Sequence, residues 1–384
     1  MTKGPLGFGW MRLPVLSDDP TDIDFEQVNQ MVDEFLDAGF TYFDTSFVYH
    51  NGKSENAIRK CLVSRHDRDS YTIASKLPIF TITEEQQVVD IFEKQLENCG
   101  VDYFDYFLLH NMNWIRYNDE VKRCHMFEHL KQWKDEGKIR HIGFSYHDDA
   151  ESLDKILAEH PEIEFVQIAL NYIDWDSYFI QAKACYDVIR KHGRQVIVME
   201  PVKGGMLAKA PAEVEAMMKE AEPDMSVASW AIRFAASLPG VLTVLSGMSD
   251  LAQVEDNISY MQDFRPLSEE DLELLEKANR LYRESGPVGT ADFSKYECID
   301  PRSVSAAAIL DAYNNCMLQP VVTFGAEGNY FSLQKAEQGV AVEDRCIPGQ
   351  AIASDGTDVT EQVHEAEDFL TKCAFAQYEP MAQE

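Results

Sequence analysis

Residues 40–49 read Phe-Thr-Tyr-Phe-Asp-Thr-Ser-Phe-Val-Tyr, and the rest of the chain is organised around this stretch. It follows Gly39, which ends an amphipathic helical pattern, and it begins as a short apolar run typical of a buried strand. The run delivers a carboxylate, Asp44, and then a phenol, Tyr49, where the strand should give way to a loop. An acid at the carboxyl end of a strand is poorly placed for packing and well placed for chemistry, so these two residues are candidate functional groups.

A strand-then-helix pattern repeats on both sides of this stretch, over residues 6–262. The strand runs are apolar rather than alternating, as expected for parallel strands covered by helices. Strands are predicted at 6–11, 41–44, 71–76, 106–110, 139–145, 165–170, 196–200 and 241–246. Helices are predicted at 24–38, 53–63, 119–136, 148–159, 177–192, 226–237, 250–262 and 268–284. A further helix is predicted to begin at residues 83–86, which form a capping pattern. Eight such units predict a (β/α)8 barrel, and an open doubly wound sheet is the alternative.

The composition changes after Gly286, which suggests a domain boundary there. We expect residues 1–286 to form the barrel and residues 287–384 to form a smaller, partly helical extension. Within the extension, helices are predicted near 304–315 and 360–375.

The net charge of −32 argues against nucleic-acid and anionic-membrane partners, because phosphate binding depends on Lys and Arg. No apolar run approaches the roughly 18 residues of a membrane span, and the N-terminus lacks a signal-peptide layout. The eight cysteines are scattered without any Cys-x-x-Cys pair. These features predict a cytoplasmic protein with reduced thiols. We also expect it to act on a small molecule, as a monomer or small homo-oligomer.

Two later strand ends carry partners for Asp44 and Tyr49. Lys76 closes one predicted strand and His110 closes the next. Carbonyl reduction needs a proton donor and groups that hold the carbonyl oxygen. Tyr49 would be the acid, Lys76 the charge that favours its phenolate, Asp44 the partner of the lysine, and His110 the donor that orients the carbonyl. Each residue alone has a structural explanation as a core or rim side chain, but the set on three successive strand ends favours an oxidoreductase.

Several segments carry a resemblance to a known family. They read Leu-Gly-Phe-Gly-Trp-Met-Arg (6–12), Phe-Asp-Thr-Ser-Phe-Val-Tyr (43–49), Gly-Lys-Ser-Glu (52–55), Ser-Lys-Leu (75–77), Leu-Leu-His (108–110), Ile-Gly-Phe-Ser (142–145) and Glu-Pro-Val-Lys-Gly-Gly (200–205). In this order they resemble the aldo-keto reductases over roughly residues 5–284. The resemblance implies a (β/α)8 barrel that binds an extended nicotinamide dinucleotide without a Rossmann motif. It places the catalytic tetrad of the family on Asp44, Tyr49, Lys76 and His110.

The resemblance also implies a cofactor site for NADH or NADPH. Its positions are Gly9, Trp10, Met11, Asp44, Ser145, Gln167, Met199, Pro201, Val202, Gly204, Ser246, Gly247, Met248, Gln253, Asp256 and Asn257. Tyr146 replaces a common carboxamide-binding Asn, and Gln253 stands where NADPH-preferring members often carry Arg. Lys203 is the cation expected nearest the pyrophosphate. We therefore expect NADH to be used at least as well as NADPH.

The substrate pocket is predicted to contain aromatic side chains around the tetrad. The candidates are Trp10, Tyr49, Phe80, His110 and Trp114, with Tyr146 and Tyr172 as further possibilities that are also common in core packing. They favour an apolar or aromatic ketone or aldehyde, or the corresponding alcohol, as substrate.

The extension resembles the ferredoxin-like C-terminal domain of some bacterial aldo-keto reductases, in which closely spaced cysteines hold two [4Fe–4S] clusters. Here only Cys298, Cys316, Cys346 and Cys373 remain, too far apart in sequence for local cluster ligation. No iron–sulfur cluster or other metal is expected. The alternative functions are an iron–sulfur-linked oxidoreductase and a non-catalytic, nicotinamide-binding regulatory protein on the same barrel.

Overall fold

The computed structural model describes residues 3–299, 304–319, 326–341, 343–347 and 349–375. Eight parallel strands follow one another around a closed barrel, and the last pairs with the first. The strands are β1 Leu6–Gly9, β2 Tyr42–Asp44, β3 Thr72–Leu77, β4 Phe104–Met112, β5 Ile139–Tyr146, β6 Phe165–Ala169, β7 Gln195–Met199 and β8 Val241–Ser246. The predicted (β/α)8 barrel is confirmed, and the open sheet is wrong.

Helices surround the barrel and continue into the extension. Around the barrel lie α1 Phe25–Asp37, α2 Ser54–Ile58, α3 Glu85–Cys99, α4 Trp114–Arg116, α5 Met126–Asp135, α6 Ala150–Glu159, α7 Ala182–Lys191, α8 Ala212–Ala221, α9 Val227–Ala236, α10 Leu251–Met261 and α11 Glu269–Ser285. The extension contains α12 Ala306–Leu318, α13 Ala326–Glu337 and α14 Thr360–Phe375. Helices α4, α8 and α13 were not predicted from the sequence.

Two predicted helices differ from expectation because a residue just before α5 and one just before α7 adopt a left-handed backbone conformation. Residues 114–123 are helical, and His125, with φ 49°, separates them from α5, so the helix predicted over 119–136 is broken. Gln181, with φ 53°, likewise places the start of α7 well after Ser177. A non-glycine residue with positive φ interrupts the α-helical backbone, and periodicity does not reveal it.

The capping pattern of Ser268 is confirmed, since its side chain and that of Asp271 bond reciprocally to backbone amides. The other capping box lies one residue later than predicted, on Glu84 and Gln87.

The barrel interior is filled by a layer of inward-pointing side chains. It consists of Tyr42, Ala74, Leu108, Phe165, Ile197 and Leu245. A larger apolar cluster lies between the sheet and its helices, and the extension has a separate cluster that also includes Phe179 of the barrel. The domain division at residue 286 stays a prediction.

The extension is attached at the carboxyl ends of the strands, on the loop that follows β6. Asp311 of α12 is buried there and accepts hydrogen bonds from Ser177 Oγ, at 2.6 Å, and from the Tyr178 amide, at 2.9 Å. Arg283 of α11 donates to the carbonyl oxygen of Ile173 in the same loop, at 3.0 Å. The helices in the described part of the chain include none long and apolar enough to cross a membrane.

Candidate active site

Strand periodicity brings the predicted functional groups together above the interior layer. Successive side chains alternate between the two faces of a strand, so a residue two positions beyond an interior residue also points into the barrel. By this rule the residues that follow the interior layer on five strands share one space at the carboxyl end. They are Asp44, Lys76, His110, Gln167 and Met199.

Lys76 and Asp44 form a buried ion pair on neighbouring strands. Lys76 has no exposed surface, and its ammonium donates to Asp44 Oδ1 and, at 2.8 Å, to the carbonyl oxygen of Thr45. The second carboxylate oxygen of Asp44 is buried and has no hydrogen-bond partner in the described residues. Since charges are screened little inside a barrel, the ammonium acts strongly on any group beside it.

Tyr49 is that group. Its ring centre lies 4.8 Å from Lys76 Nζ, on the loop that follows β2. Burial raises the pKa of the Tyr49 phenol, and the positive charge of Lys76 opposes this rise. Burial alone would lower the pKa of Lys76, but Asp44 and Tyr49 outweigh it and the net shift is upward. At neutral pH the site therefore holds an ammonium beside a protonated phenol.

His110 faces Tyr49 edge-on, with ring centres 5.8 Å apart. Its burial, together with the charge of Lys76, lowers its pKa well below the usual value, so the imidazole is neutral. Ser46 Oγ lies 3.1 Å from His110 Nδ1 and accepts a long bond, 3.5 Å, from the Val48 amide. If this hydroxyl donates to Nδ1, the proton of the imidazole is on Nε2. Ser46 was not predicted, although its position two residues after Asp44 was a usable signal.

A second buried carboxylate supports the end of β3. Glu55 accepts hydrogen bonds from Ser75 Oγ and Gln95 Nε2, both at 2.7 Å, and from Asn98 Nδ2 at 3.1 Å. Gln95 also donates to the carbonyl oxygen of Lys76, at 3.0 Å. This network fixes the backbone that carries Lys76, and sequence reasoning missed it because its members come from three separate elements.

Three residues predicted to bind the nicotinamide lie on successive strands: Ser145 and Gln167 for the carboxamide, and Met199 for the ring face. Ser145 Oγ accepts from the Asn111 amide at 2.8 Å, and Gln167 Nε2 lies 3.4 Å from Met199 Sδ. The amide oxygen of Gln167 is buried and has no partner elsewhere in the described structure. An unpaired buried acceptor is costly unless a ligand supplies a donor, so this oxygen fits a carboxamide.

Lys203 is engaged within the protein. Its side chain is only 1% exposed, and Nζ pairs with Asp174 Oδ1 at 2.7 Å. The lysine holds the loop after β7 to the loop after β6. Its place as the cation nearest the pyrophosphate stays a prediction, and its partner Asp174 was not foreseen.

The residues after β8 that were predicted to bind the cofactor make hydrogen bonds within the protein. Gln253 Nε2 donates to Asp250 Oδ2 at 2.8 Å, and Gln253 Oε1 accepts from the Ser249 amide at 3.0 Å. Asn257 donates to Ser246 Oγ at 2.6 Å. Two positions are turned away from the rim: Asp256 accepts from Ser226 Oγ of the segment before α9, and Met248 packs in the core.

Other predicted cofactor positions lie on the rim of the barrel. A Cβ on Gly9 would lie 3.4 Å from the carbonyl oxygen of Ser246, so β1 and the segment after β8 are close there. Met11 is half exposed. Pro201, Val202 and Gly204 lie in the turn that follows β7, and Gly204 has a φ of 63° that favours glycine.

The predicted aromatic pocket is only partly formed. Phe80 lies beside the tetrad, with its ring centre 5.8 Å from that of His110. Trp10 has no exposed surface and packs against Phe8 and Phe43, and its assignment to the substrate pocket stays a prediction. Trp114 is half-buried, contacts Tyr117 and has Lys155 of α6 over its ring. Two further candidates, Tyr146 and Tyr172, are core residues.

The cysteines of the extension do not gather at one point. Cys316, Cys346 and Cys373 are buried and Cys298 is exposed. Among the described residues, the one group of His, Cys, Asp and Glu side chains close enough to share a metal ion contains no cysteine. The expected absence of a cluster remains a prediction.

A closed parallel barrel with a buried carboxylate–ammonium pair beside a tyrosine and a neutral histidine defines a class of barrel oxidoreductases. The sequence profile of the Aldo/keto reductase family matches residues 5–280, and the chain belongs to this family. It is an NAD(P)-dependent oxidoreductase.

Individual relatives are distant. The uncharacterized oxidoreductase YqkF of Bacillus subtilis is 23% identical over 277 residues, which is 64% of this chain and 85% of the relative. An aldo-keto reductase from Bacillus halodurans in its holo form has a TM-score of 0.58 at 22% identity, covering 72% of this chain and 93% of the other. A Klebsiella pneumoniae aldo-keto reductase in complex with NADPH has a TM-score of 0.58 at 20% identity, covering 72% and 95%. These structural similarities concern the fold.

Proposed function

We propose that the enzyme reduces a ketone or aldehyde to an alcohol with a reduced nicotinamide cofactor, and catalyses the reverse reaction, with Tyr49 as general acid and base. The observation that carries this proposal is the Lys76 ammonium, which lies 4.8 Å from the centre of the Tyr49 ring and is paired with Asp44 away from solvent. A lone rim tyrosine has no reason to lie beside a buried cation, whereas a proton donor does.

The residues at the site fit a nicotinamide dinucleotide. The unpaired oxygen of Gln167 suits the carboxamide, and Ser145 and Met199 lie next to it. When bound, such a cofactor supplies the hydride. Structural similarity to a protein in complex with NADPH supports the same type of cofactor here.

The side chains of the tetrad then have separate tasks. His110 Nε2 donates to the carbonyl oxygen and orients it, because Nδ1 is engaged by Ser46. Tyr49 gives its proton to the oxygen as negative charge develops there. Lys76 stabilises the phenolate that remains, and Asp44 keeps Lys76 charged.

The direct test is a turnover screen of ketones, aldehydes and sugars with NADH and NADPH. Turnover is measured as the change in absorbance of the nicotinamide. Consumption of the cofactor that depends on a carbonyl compound is the expected result. Cofactor binding without turnover of any compound would favour the regulatory alternative.

We predict that NADH is used at least as efficiently as NADPH, and that Gln253→Arg shifts the preference toward NADPH about tenfold, or about 1.4 kcal/mol. The 2′-phosphate brings nearly two negative charges, and the residues at this position, half-buried Asp250 and exposed Gln253, offer it an acid and an amide. The measurement is the ratio of kcat/KM for the two cofactors.

The control for Gln253→Arg is Gln262→Arg, an exposed change at the opposite end of α10 that adds the same charge. A wild-type preference for NADPH of about a hundredfold or more would contradict the prediction, because it would require another group that binds the phosphate.

We also predict that protein purified without oxygen contains well below about one iron atom per chain, because dispersed cysteines cannot hold a cluster. Elemental analysis measures this directly. About four or eight iron atoms per chain, with a brown colour, would instead support the iron–sulfur alternative.

A further inference from the structure

Arg116 is a buried cation at the end of the strand that carries His110. It is the last residue of the short helix α4, which follows β4, and it is only 5% exposed. Its Nη1 donates to the carbonyl oxygen of Asn111 at 2.8 Å, and Asn111 directly follows His110. Asn111 has a φ of 67°, which is uncommon for a residue other than glycine. This turn of the backbone and the hydrogen bond to it hold the guanidinium close to the tetrad.

Phe80 contacts both Arg116 and His110. The centre of its ring lies 5.2 Å from Arg116 Cζ and 5.8 Å from the centre of the imidazole ring. Burial is the main cause of the lowered pKa of His110, and the charge of Arg116 adds to it. Burial likewise lowers the pKa of His147, after β5, to about 3, with a further contribution from Arg116. The guanidinium is therefore about one aromatic ring away from the group that orients the carbonyl.

Charge is unevenly distributed around the tetrad. Arg116 and Lys76 lie on the side of β3 and β4, and Asp44 offsets the charge of Lys76. Glu200, which follows β7, is close enough to Tyr49 for its charge to add to burial in raising the pKa of the phenol. A substrate with a charged group at one end is therefore favoured in one orientation, with its negative end toward Arg116.

An acid also packs near α4, but its oxygens are directed to backbone amides. Asp148 Oδ2 accepts from the Trp114 amide at 2.9 Å, and Oδ1 accepts from the Asp149 amide at 2.8 Å. The turn that carries Arg116 also contains a donor without a partner. Asn113 is 2% exposed, and its Nδ2 is buried with no hydrogen-bond partner among the described residues. An unpaired buried donor is costly unless a ligand supplies an acceptor.

We infer that Arg116 binds a carboxylate of the substrate, so that the enzyme reduces carbonyl compounds that are also carboxylic acids. This inference rests on the proposed carbonyl reduction and narrows its substrate class. A guanidinium can donate two parallel hydrogen bonds to a carboxylate, and their attraction is strong in a site that excludes water. One guanidinium matches the single charge of a carboxylate, whereas a phosphate brings nearly two charges to a protein whose net charge is −32. The ring of Phe80 suits an apolar skeleton between the carbonyl and the carboxylate.

The test compares two aldehydes that share one skeleton. In para-formylbenzoate, a carboxylate lies across one aromatic ring from the aldehyde, and the methyl ester of this compound lacks the charge. We would measure kcat and KM for both compounds with NADH, in the wild type and in three variants of the full chain. Arg116→Gln removes the charge, Arg116→Lys keeps it, and Arg265→Gln is the control. Arg265 is exposed and follows α10 at the opposite end of the barrel, close to where the Gly4 amide donates to the Met261 carbonyl oxygen.

We expect the wild type to favour the acid over the ester about tenfold in kcat/KM. Arg116→Gln should abolish this preference, mainly through a higher KM for the acid. Arg116→Lys should keep part of the preference, because it keeps the charge but loses the planar donor geometry. Arg265→Gln should keep the ratio of the wild type.

A ratio for Arg116→Gln within about twofold of the wild-type ratio would overturn the inference, and so would a wild type that favours the ester. If Arg116 only holds the turn after β4, its replacement lowers the efficiency with both compounds and leaves the ratio unchanged. The ratio therefore distinguishes a lost charge from a displaced turn.

The ester separates this inference from the function on which it rests. If the wild type reduces neither compound and no other carbonyl in the screen, the proposed function fails. If it reduces other carbonyls but not these two, their inhibition constants against that reaction replace kcat/KM, with the same expected ratio. If the ester is reduced and Arg116→Gln leaves the ratio unchanged, only the role of Arg116 is wrong.

Discussion

Replacing Tyr49 by phenylalanine is expected to lower turnover at least about a hundredfold while cofactor binding is retained. The change removes the hydroxyl proton but keeps the ring that faces His110 and lies near Lys76. Without a donor, the oxygen of the reduced carbonyl must take its proton from water in a site that largely excludes water. The measurement is kcat for a carbonyl substrate found in the screen, with the Kd of the cofactor determined beside it.

A matched control is Tyr103→Phe, which removes a hydroxyl that accepts from Arg140 at the opposite end of β4. Its turnover should equal that of the wild type. Near-normal turnover in Tyr49→Phe would show that another group supplies the proton. The pH dependence gives an independent check: burial raises the pKa of Tyr49 above its usual value near 10. Tyr49 therefore stays protonated, and reduction should not decline through this group, until the pH exceeds about 10.

The sequence was sufficient for features that depend on local periodicity. Apolar runs and amphipathic segments gave the eight strands and the order in which they alternate with helices. The tetrad followed because parallel strands bring their carboxyl ends to one edge, so Asp44, Lys76 and His110 had to converge. Periodicity of two along each strand also decides that these side chains point inward, above the interior layer.

Features that depend on contacts between distant segments were not accessible in this way. Lys203 was expected to be the cation nearest the pyrophosphate, and its pairing with Asp174, which comes from another loop, was not foreseen. Trp10 was predicted to line the substrate pocket as one of several aromatic residues, and the structure shows it packed against Phe8 and Phe43. Helix α13 was missed because its apolar and polar residues show little separation into faces.

Contacts between distant segments also explain why some residues of the site were recognised only in the structure. Ser46 becomes informative only when its hydroxyl is seen beside His110 Nδ1, and Glu55 only when Ser75 and Gln95 are seen beside its carboxylate. Both residues act on groups contributed by other strands. A sequence without its fold gives the types of these residues but not their neighbours.

Replacing Lys76 by methionine is expected to abolish most turnover and to lower the free energy of unfolding by about 3–5 kcal/mol. The change leaves the buried carboxylate of Asp44 without its cation, and Oδ2 of that carboxylate already lacks a partner in the described residues. Urea denaturation measures the stability and the carbonyl assay measures the turnover. The loss of stability should shrink as the pH falls, because an unpaired buried carboxyl group takes up a proton more readily in the folded than in the unfolded protein.

The double variant Lys76→Met with Asp44→Leu separates stability from catalysis. Removing both charges leaves an apolar pair of similar volume, which is often neutral or stabilising compared with a buried ion pair, so most of the lost stability should return. Turnover should not return, because nothing then favours the phenolate of Tyr49. The exposed pair of Lys183 and Asp187 on α7 is the control, and Lys183→Met should leave both stability and turnover nearly unchanged. Recovery of turnover in the double variant would mean that the ion pair only supports the fold, and that Tyr49 works without the charge of Lys76.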